Sequence, residues 1–256
     1  MNNTAKRAPE KGEVYIIFPC YNEEEGLEKL LGRFKGVRHV CDRPIHIVIV
    51  DDGSSDHTLK VAEAFLEELP IHIISFGANK GVAHVFNEAF KYVLARSGDN
   101  DIIITIDSDN TMNPYTILDL IKKIDEADVV VASRFVPGGK MVGAGYRTIF
   151  SYGASWLLKW RIGIPNLTDY SIFYRAYTRK VISEISEKYG GKPVEGGGFS
   201  CMANLLIRIF KTIPNVRFVE VPLVLRYDQK EGGSALKFGK TIRGYLDIAF
   251  SKDGSK

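Results

Sequence analysis

The chain has 256 residues, 45% of them apolar and 25% charged, and a net charge of +3. That length suits one large domain or two small ones, with apolar residues enough for a sizeable core. So small a charge argues against nucleic acid as a partner, and three cysteines with no Cys-x-x-Cys pair indicate neither a disulfide framework nor a zinc site. A reducing compartment fits best.

Met1 to Gly12 is polar and charged, with no apolar signal-peptide core, and is expected to be a disordered tail. Val14 to Phe18 reads as a buried strand stopped by Pro19. Asn22 then caps a helix to about Phe34, with Glu23, Glu24 and Glu25 in its first turn. Ile45 to Val50 is a second strand, Asp51 to Asp56 a turn, and His57 to Leu69 a helix. Ile71 to Ser75 is a third strand, and Asn79-Lys80-Gly81 opens a helix to about Arg96. Asp101 to Ile106 is a fourth strand, Pro114 to Glu126 a helix, and Val129 to Ala132 a fifth strand. Arg134 to Gly145 is a glycine-rich loop, and Arg147 to Ile162 a helix. After the glycine-rich stretch 190–198 come a helix from Phe199 to Lys211 and a strand from Val216 to Val221. A loop at 231–234 leads into a last helix from Leu236 to Phe250. No run of 18 apolar residues occurs, so no membrane-spanning helix is expected.

Short apolar strands alternating with helices predict an α/β fold with a Rossmann-like, mostly parallel sheet. Ligands of such sheets bind beyond the carboxyl ends of the strands. Three polar clusters fall at those ends: Pro19 to Glu23, Asp51 to Ser54, and Asp107 to Asn110. Asp107 and Asp109 lie two residues apart just past a buried strand. A hard divalent ion, Mn2+ or Mg2+, takes one or two carboxylates together with substrate phosphates, so this pair is read as a metal and diphosphate site. Neither Gly-x-Gly-x-x-Gly nor a Walker sequence occurs near Gly81. The five histidines form no ligand pair, and Cys20 is read as a small packing residue rather than a nucleophile.

Pro19-Cys20-Tyr21-Asn22-Glu23, Val50-Asp51-Asp52-Gly53-Ser54-Ser55-Asp56-His57-Thr58, Asn79-Lys80-Gly81 and Asp107-Ser108-Asp109 occur in the order found in family 2 inverting glycosyltransferases, which the chain resembles from about residue 13 to 245. From Ser133-Arg134-Phe135 through Asp169 to Gly232-Gly233-Ser234 it looks like the branch of dolichyl-phosphate mannose synthases and polyprenyl-phosphate glycosyltransferases. The resemblance implies a GT-A fold with an acceptor-side helical extension, in one domain over 13–251. Residues 13–133 form the nucleotide-binding half and 134–251 the acceptor half. It also implies a nucleotide-sugar donor, GDP-mannose or a UDP-sugar, and a divalent metal. Pro19, Tyr21, Glu23, Asp51, Lys80, Asp107 and Ser108 would bind the nucleotide, with Asp51 at the base and Asp109 the main metal ligand. Arg134 and Arg147 match arginines that hold the donor diphosphate or an acceptor phosphate, a task that suits a planar guanidinium. Thr111, Phe173 and Asn204 stand where this branch favours Gln, Gly and Glu, and Gly-Gly-Ser-Ala replaces Gly-x-Ser-Lys. These departures cluster on the sugar and acceptor side.

The expected reaction moves a hexose-type sugar, with inversion, to a polyprenyl or dolichyl phosphate. A hydroxyl on a growing glycan is the alternative acceptor. It would need a general base, for which Asp169 is the candidate, whereas a phosphate is already an anion. An inactive nucleotide-sugar-binding subunit and a nucleotidyltransferase are further alternatives. The first is disfavoured by the intact Asp107 and Asp109, the second by Tyr21-Asn22-Glu23 standing where a glycine- and basic-rich loop belongs. Ile149, Phe150, Gly153, Trp156, Leu157 and Trp160 recur at helical spacing, flanked by Arg147, Lys159 and Arg161. The last helix repeats this pattern with Lys237, Lys240 and Arg243. Both suit a membrane interface, with packing against the domain itself as the alternative. The expectation is a cytoplasmic enzyme, peripheral on the cytoplasmic membrane face or held there by a small membrane-anchoring subunit.

Overall fold

The computed structural model describes residues 11–143, 145, 147–198, 200–230 and 238–250, with 147–150 and 238–242 described as backbone only. Its strands, in chain order, are β1 (Val14–Cys20), β2 (Ile45–Asp51), β3 (Ile71–Ser75), β4 (Ile102–Thr105), β5 (Val129–Ser133), β6 (Lys140–Val142), β7 (Arg175–Thr178), β8 (Phe218–Pro222) and β9 (Val224–Arg226). The helices are α1 (Glu24–Val40), α2 (Thr58–Ala64), α3 (Val82–Leu94), α4 (Thr116–Ile124), α5 (Arg147–Arg161), α6 (Arg179–Lys188), α7 (Ser200–Thr212) and α8 (Phe238–Phe250). One sheet runs in the order β3-β2-β1-β4-β7-β5-β8, and β6 pairs with β9 in a second. Only β7 is antiparallel within the large sheet, so the sheet is mostly parallel as expected. β7 and β8, from the later part of the chain, complete the sheet that β1 to β5 begin.

The central strands are covered on both faces. That is why β4 (Ile-Ile-Ile-Thr) and β5 (Val-Val-Val-Ala-Ser) are buried at every position and read as continuous apolar runs. The helices supply the covering stripes. In α1, Leu27, Leu30, Leu31, Phe34 and Val37 are buried at helical spacing.

Several boundaries differ from the sequence expectation. β1 continues through Pro19 to Cys20, which pair with Val50 and Asp51. Pro19 faces β4, where its carbonyl accepts from Ser108 Oγ at 2.8 Å, and the β1–β4 ladder has already ended at Ile17–Thr105. A residue without an N–H therefore costs no ladder bond there. α1 runs six residues past Phe34, and Asn22 does not cap it. Asn22 sits at φ 55°, and its Oδ1 accepts from the Ser55 amide at 2.8 Å, tying the β1 loop to the β2 loop. α2 stops at Ala64, where Phe65 and Leu66 donate to carbonyls three residues back and tighten the chain into turns. The stretch 134–145 holds β6 rather than only a loop. β7, α6 and β9 were not anticipated. The tail expectation for residues 1–10 and the loop at 231–234 lie outside the described residues.

The chain runs outward from β1 through β2 to β3, then returns to set β4 on the other side of β1. That reversal opens a crevice beyond the carboxyl ends of β1 and β4, the place where open α/β sheets bind ligands. α1 closes one side of it. A Cβ on Gly26 would lie 2.9 Å from Asp109 Cα and 3.0 Å from the Ser108 carbonyl oxygen, so the helix rests directly on the Asp107–Asp109 backbone. Gly26→Ala is expected to force the two backbones apart, at about 1–3 kcal/mol. Urea unfolding would measure it; a variant as stable as the parent would show that the contact is loose.

Candidate active site

Asp107 and Asp109 leave the end of β4 and rise into the crevice. Among the described residues no hydrogen bond reaches the Asp107 carboxylate. Burial and then the charge of Asp109 push its pKa up to about 8, with Glu23 adding to the rise and Lys230 and Arg134 opposing it. Asp109 is fully engaged: Oδ1 accepts from Thr111 Oγ1 at 2.6 Å and from the Thr111 amide at 3.1 Å, and Oδ2 from Lys230 Nζ at 2.8 Å. Glu23 faces the same space. Burial raises its pKa to about 7, helped by Asp109 and Asp56 against Lys230. Burial pulls the Lys230 ammonium down, but Asp109, Glu23 and Asp107 together hold it above its ordinary value.

Two adjacent carboxylates in a partly desolvated crevice, one of them without a hydrogen bond, fit a hard divalent ion completed by phosphate oxygens. Among the described residues no group of three or more His, Cys, Asp or Glu is placed to hold a metal ion.

The remaining nucleotide-side residues border the crevice in different ways. Tyr21 is 43% exposed at the end of β1, and Lys80 is exposed with its Nζ 4.9 Å from the centre of the Phe76 ring. Ser108 is buried, and its hydroxyl is taken by the Pro19 carbonyl, which fastens the β4 loop to β1. Asp51 is buried and accepts from the Ser54 amide at 3.2 Å and from Ser75 Oγ at 2.9 Å, so it shapes the turn after β2 and ties it to the end of β3. Asp52 accepts from the backbone amides of Lys80 and Gly81 at 2.7 and 2.9 Å, holding the entry to α3. Cys20 is buried, and burial pushes its thiol well up, as a packing residue requires.

On the acceptor side Arg134 and Asp169 form one unit, 3% and 0% exposed. Arg134 Nε and Nη2 donate to the two Asp169 oxygens at 2.7 and 2.6 Å, and the Arg134 amide adds a third bond at 3.2 Å. Although burial opposes ionisation, Arg134 holds Asp169 below the ordinary carboxylate range. A carboxylate held that way is a weak base, so its geometry favours positioning Arg134 over taking a proton. Arg147 opens α5, and its side chain lies outside the described residues.

Two contributors escaped the sequence reading. Glu220 of β8 accepts from the amides of Thr168 and Asp169 at 2.9 Å and from Thr168 Oγ1 at 2.7 Å, which fixes the loop carrying Asp169. A lone Glu in a strand carries no motif, so nothing in the sequence marked it. Lys230 lies just before the late glycine-serine loop, and its approach to Asp109 joins residues 121 apart in the chain, which no local pattern marks. The departures from the branch pattern have clear places: Thr111 on Asp109, Phe173 edge-on to Phe86 with ring centres 5.7 Å apart, and Asn204 donating to the Glu195 carbonyl at 3.2 Å.

A mostly parallel open sheet with an acidic crevice at its switch point defines an α/β protein whose ligand site lies beyond the strand ends. The Glycosyl transferase family 2 model matches residues 15–186, and the chain belongs to that family. It is a glycosyltransferase with the GT-A fold. An undecaprenyl-phosphate mannosyltransferase from Micrococcus luteus is 30% identical over 231 residues, covering 90% of this chain and 89% of that protein. A polyprenol monophosphomannose synthase from Mycolicibacterium smegmatis is 29% identical over 232 residues, 89% and 82% of the two chains. Among solved structures, glucosyl-3-phosphoglycerate synthase from Mycobacterium tuberculosis, in complex with Mn2+, uridine diphosphate and glucosyl-3-phosphoglycerate, shares the fold. Its TM-score is 0.70 at 18% identity, covering 96% of this chain and 81% of that one.

Asp169→Asn should leave Arg134 buried without an anionic partner and cost about 3–5 kcal/mol at neutral pH. The folded pKa of Asp169 lies below its unfolded value of about 3.9, so the pair's contribution is complete above that value and is lost as pH falls through the folded one. Urea unfolding across pH should therefore show the two proteins converging in acid. Equal stability at pH 7 would remove the pair from the account.

Proposed function

We propose that the protein transfers a hexose-type sugar from a nucleoside diphosphate, GDP or UDP, to a polyprenyl phosphate, with inversion. The observation that carries the acceptor assignment is the Arg134–Asp169 pair. It leaves Asp169 committed and Arg134 buried beside the crevice, an arrangement suited to an anionic acceptor that needs no base. The two polyprenyl-phosphate relatives support it.

In this reading Tyr21, Glu23, Asp51 and Lys80 border the nucleotide, and Asp107 and Asp109 hold a divalent ion, Mn2+ or Mg2+. The solved neighbour with Mn2+ and uridine diphosphate supports that assignment. An ion held there supplies Lewis-acid neutralisation of the leaving diphosphate. Arg134, whose Nε and Nη2 are already held by Asp169 and Ser171, contributes a fixed positive charge beside the crevice, and Arg147 at the start of α5 would make the direct contacts to phosphate oxygens. Inversion requires the acceptor oxygen to attack opposite the leaving group, and the proposed side of entry is that of α5 and α8.

Those two helices also suit a membrane surface. Arg161 Nε donates to the Ala249 carbonyl at 3.1 Å, joining α5 to α8. Trp156 and Trp160 are 69% and 65% exposed with their rings stacked, and Leu246 and Phe250 lie exposed on α8. Lys159 and Arg243 are exposed on the same helices. Tryptophan with basic residues favours the headgroup level of an anionic bilayer. Among the described residues no helix is long and apolar enough to cross a membrane. The proposed place of work is the cytoplasmic membrane face, reached peripherally or through a small anchoring subunit.

The test supplies the pure protein with MnCl2, a panel of labelled nucleotide sugars and a short polyprenyl phosphate, followed by organic extraction. One donor should label the organic phase, and Asp109→Ala should reduce that label by about 100-fold or more while leaving the fold intact. Slow metal-dependent donor hydrolysis without organic label would move the acceptor to a glycan hydroxyl. Full activity in Asp109→Ala would remove the metal assignment.

Replacing Trp156 and Trp160 together by Ser should weaken co-sedimentation with anionic phospholipid vesicles about tenfold or more. Unchanged sedimentation would show that this face is not the one that docks.

A further inference from the structure

Lys230 follows the short 3₁₀ turn Tyr227–Gln229, 121 residues after Asp109, yet its Nζ sits 2.8 Å from Asp109 Oδ2. The two side chains are only 16% and 14% exposed. Glu23 and Asp107 also act on this ammonium. The other Asp109 oxygen already accepts two bonds from Thr111. In this state, then, a lysine cation occupies the open side of the carboxylate assigned to a divalent ion.

The backbone on which Lys230 sits is fastened independently of that ion pair. The Arg226 amide donates to the Thr111 carbonyl at 2.8 Å, and β9 pairs with β6. Lys230 therefore stays within reach of the crevice even when its ammonium lets go. A lysine side chain is long and flexible, and it carries a compact charge on rotatable bonds. It is suited to changing partners without movement of the strand behind it.

We propose that Lys230 is a resident counter-ion for the metal site, held on Asp109 Oδ2 until an arriving divalent ion displaces it. This rests on the reading of Asp107 and Asp109 as metal ligands. The two cations repel one another and compete for the same oxygen, so loading of the ion and retention of the Lys230–Asp109 contact exclude each other. The exchange lets the acidic crevice remain neutralised between turnovers. It also makes the Lys230 ammonium free for an anionic partner only once the ion is in place.

The test reads the position of Lys230 rather than turnover. The full chain is pulse-acetylated with an amine-reactive ester, and Lys230 modification is followed by mass spectrometry with and without MnCl2; Mn2+ binding is followed separately by electron paramagnetic resonance. Lys230 should modify about fivefold faster once Mn2+ is bound, and in Asp109→Asn it should be fast without metal and indifferent to it. Lys230→Met should bind Mn2+ about threefold more tightly or better, because the competitor is gone. Mn2+ binding to the parent protein with no change in Lys230 modification would overturn the exchange while leaving the metal site standing. Mn2+ bound by neither the parent nor Lys230→Met, even with UDP or GDP present to complete the coordination, would overturn both the exchange and the metal assignment.

Discussion

The burial of Glu23, Asp107 and Asp109 beside one another is the constraint on which the rest of the site depends. The fold brings these carboxylates together by bending the chain back at the β1–β4 switch point and pressing α1 onto the loop after β4 through Gly26. Acidic groups packed in a partly desolvated crevice keep their charge only beside a cation. The structure answers in two ways. Asp107 and Glu23 have raised pKa values, and Lys230 sits on Asp109. Both responses describe a place that favours a cation, the role proposed for the divalent ion.

A second buried charge pair organises the acceptor side, by a different logic. Arg134 and Asp169 neutralise each other away from solvent, and the Glu220 carboxylate fixes the loop that bears Asp169. Removing a charge from water is costly, so such a pair holds its geometry only when nearly every polar atom has a partner. Here Ser171 and the backbone supply the remaining bonds. The guanidinium that results is fixed and planar, bordering the crevice where the Lys230 ammonium pairs with Asp109.

Much of the architecture was legible because its signals are local. β2, β3 and β5 are apolar runs ended by polar turns, and β3 matched its expected bounds to the residue. The polar clusters after β1, β2 and β4 follow from chain order in a parallel sheet. β7 was not legible: Arg-Ala-Tyr-Thr has neither a run nor an alternation, and it becomes a strand only because β4 and β5 flank it. α6 did carry a signal that went unread. Thr178 accepts from the Val181 amide as an N-cap, and Val181, Ile182 and Ile185 form its buried stripe. Asn22 was misread as a cap because its positive φ and its bond to Ser55 depend on a loop more than thirty residues away. Glu220 and the Lys230–Asp109 contact were invisible for the same reason: long-range pairing of single charged residues leaves no periodicity.

The most direct measurement is anomalous diffraction at the manganese edge from crystals grown with MnCl2 and either UDP or GDP. A single strong peak within ligating distance of Asp109, with the diphosphate completing its coordination and Lys230 Nζ withdrawn from Oδ2, is the predicted result. A nucleotide seated in the crevice with no manganese at Asp107 or Asp109, and Lys230 still paired to Asp109, would contradict the account.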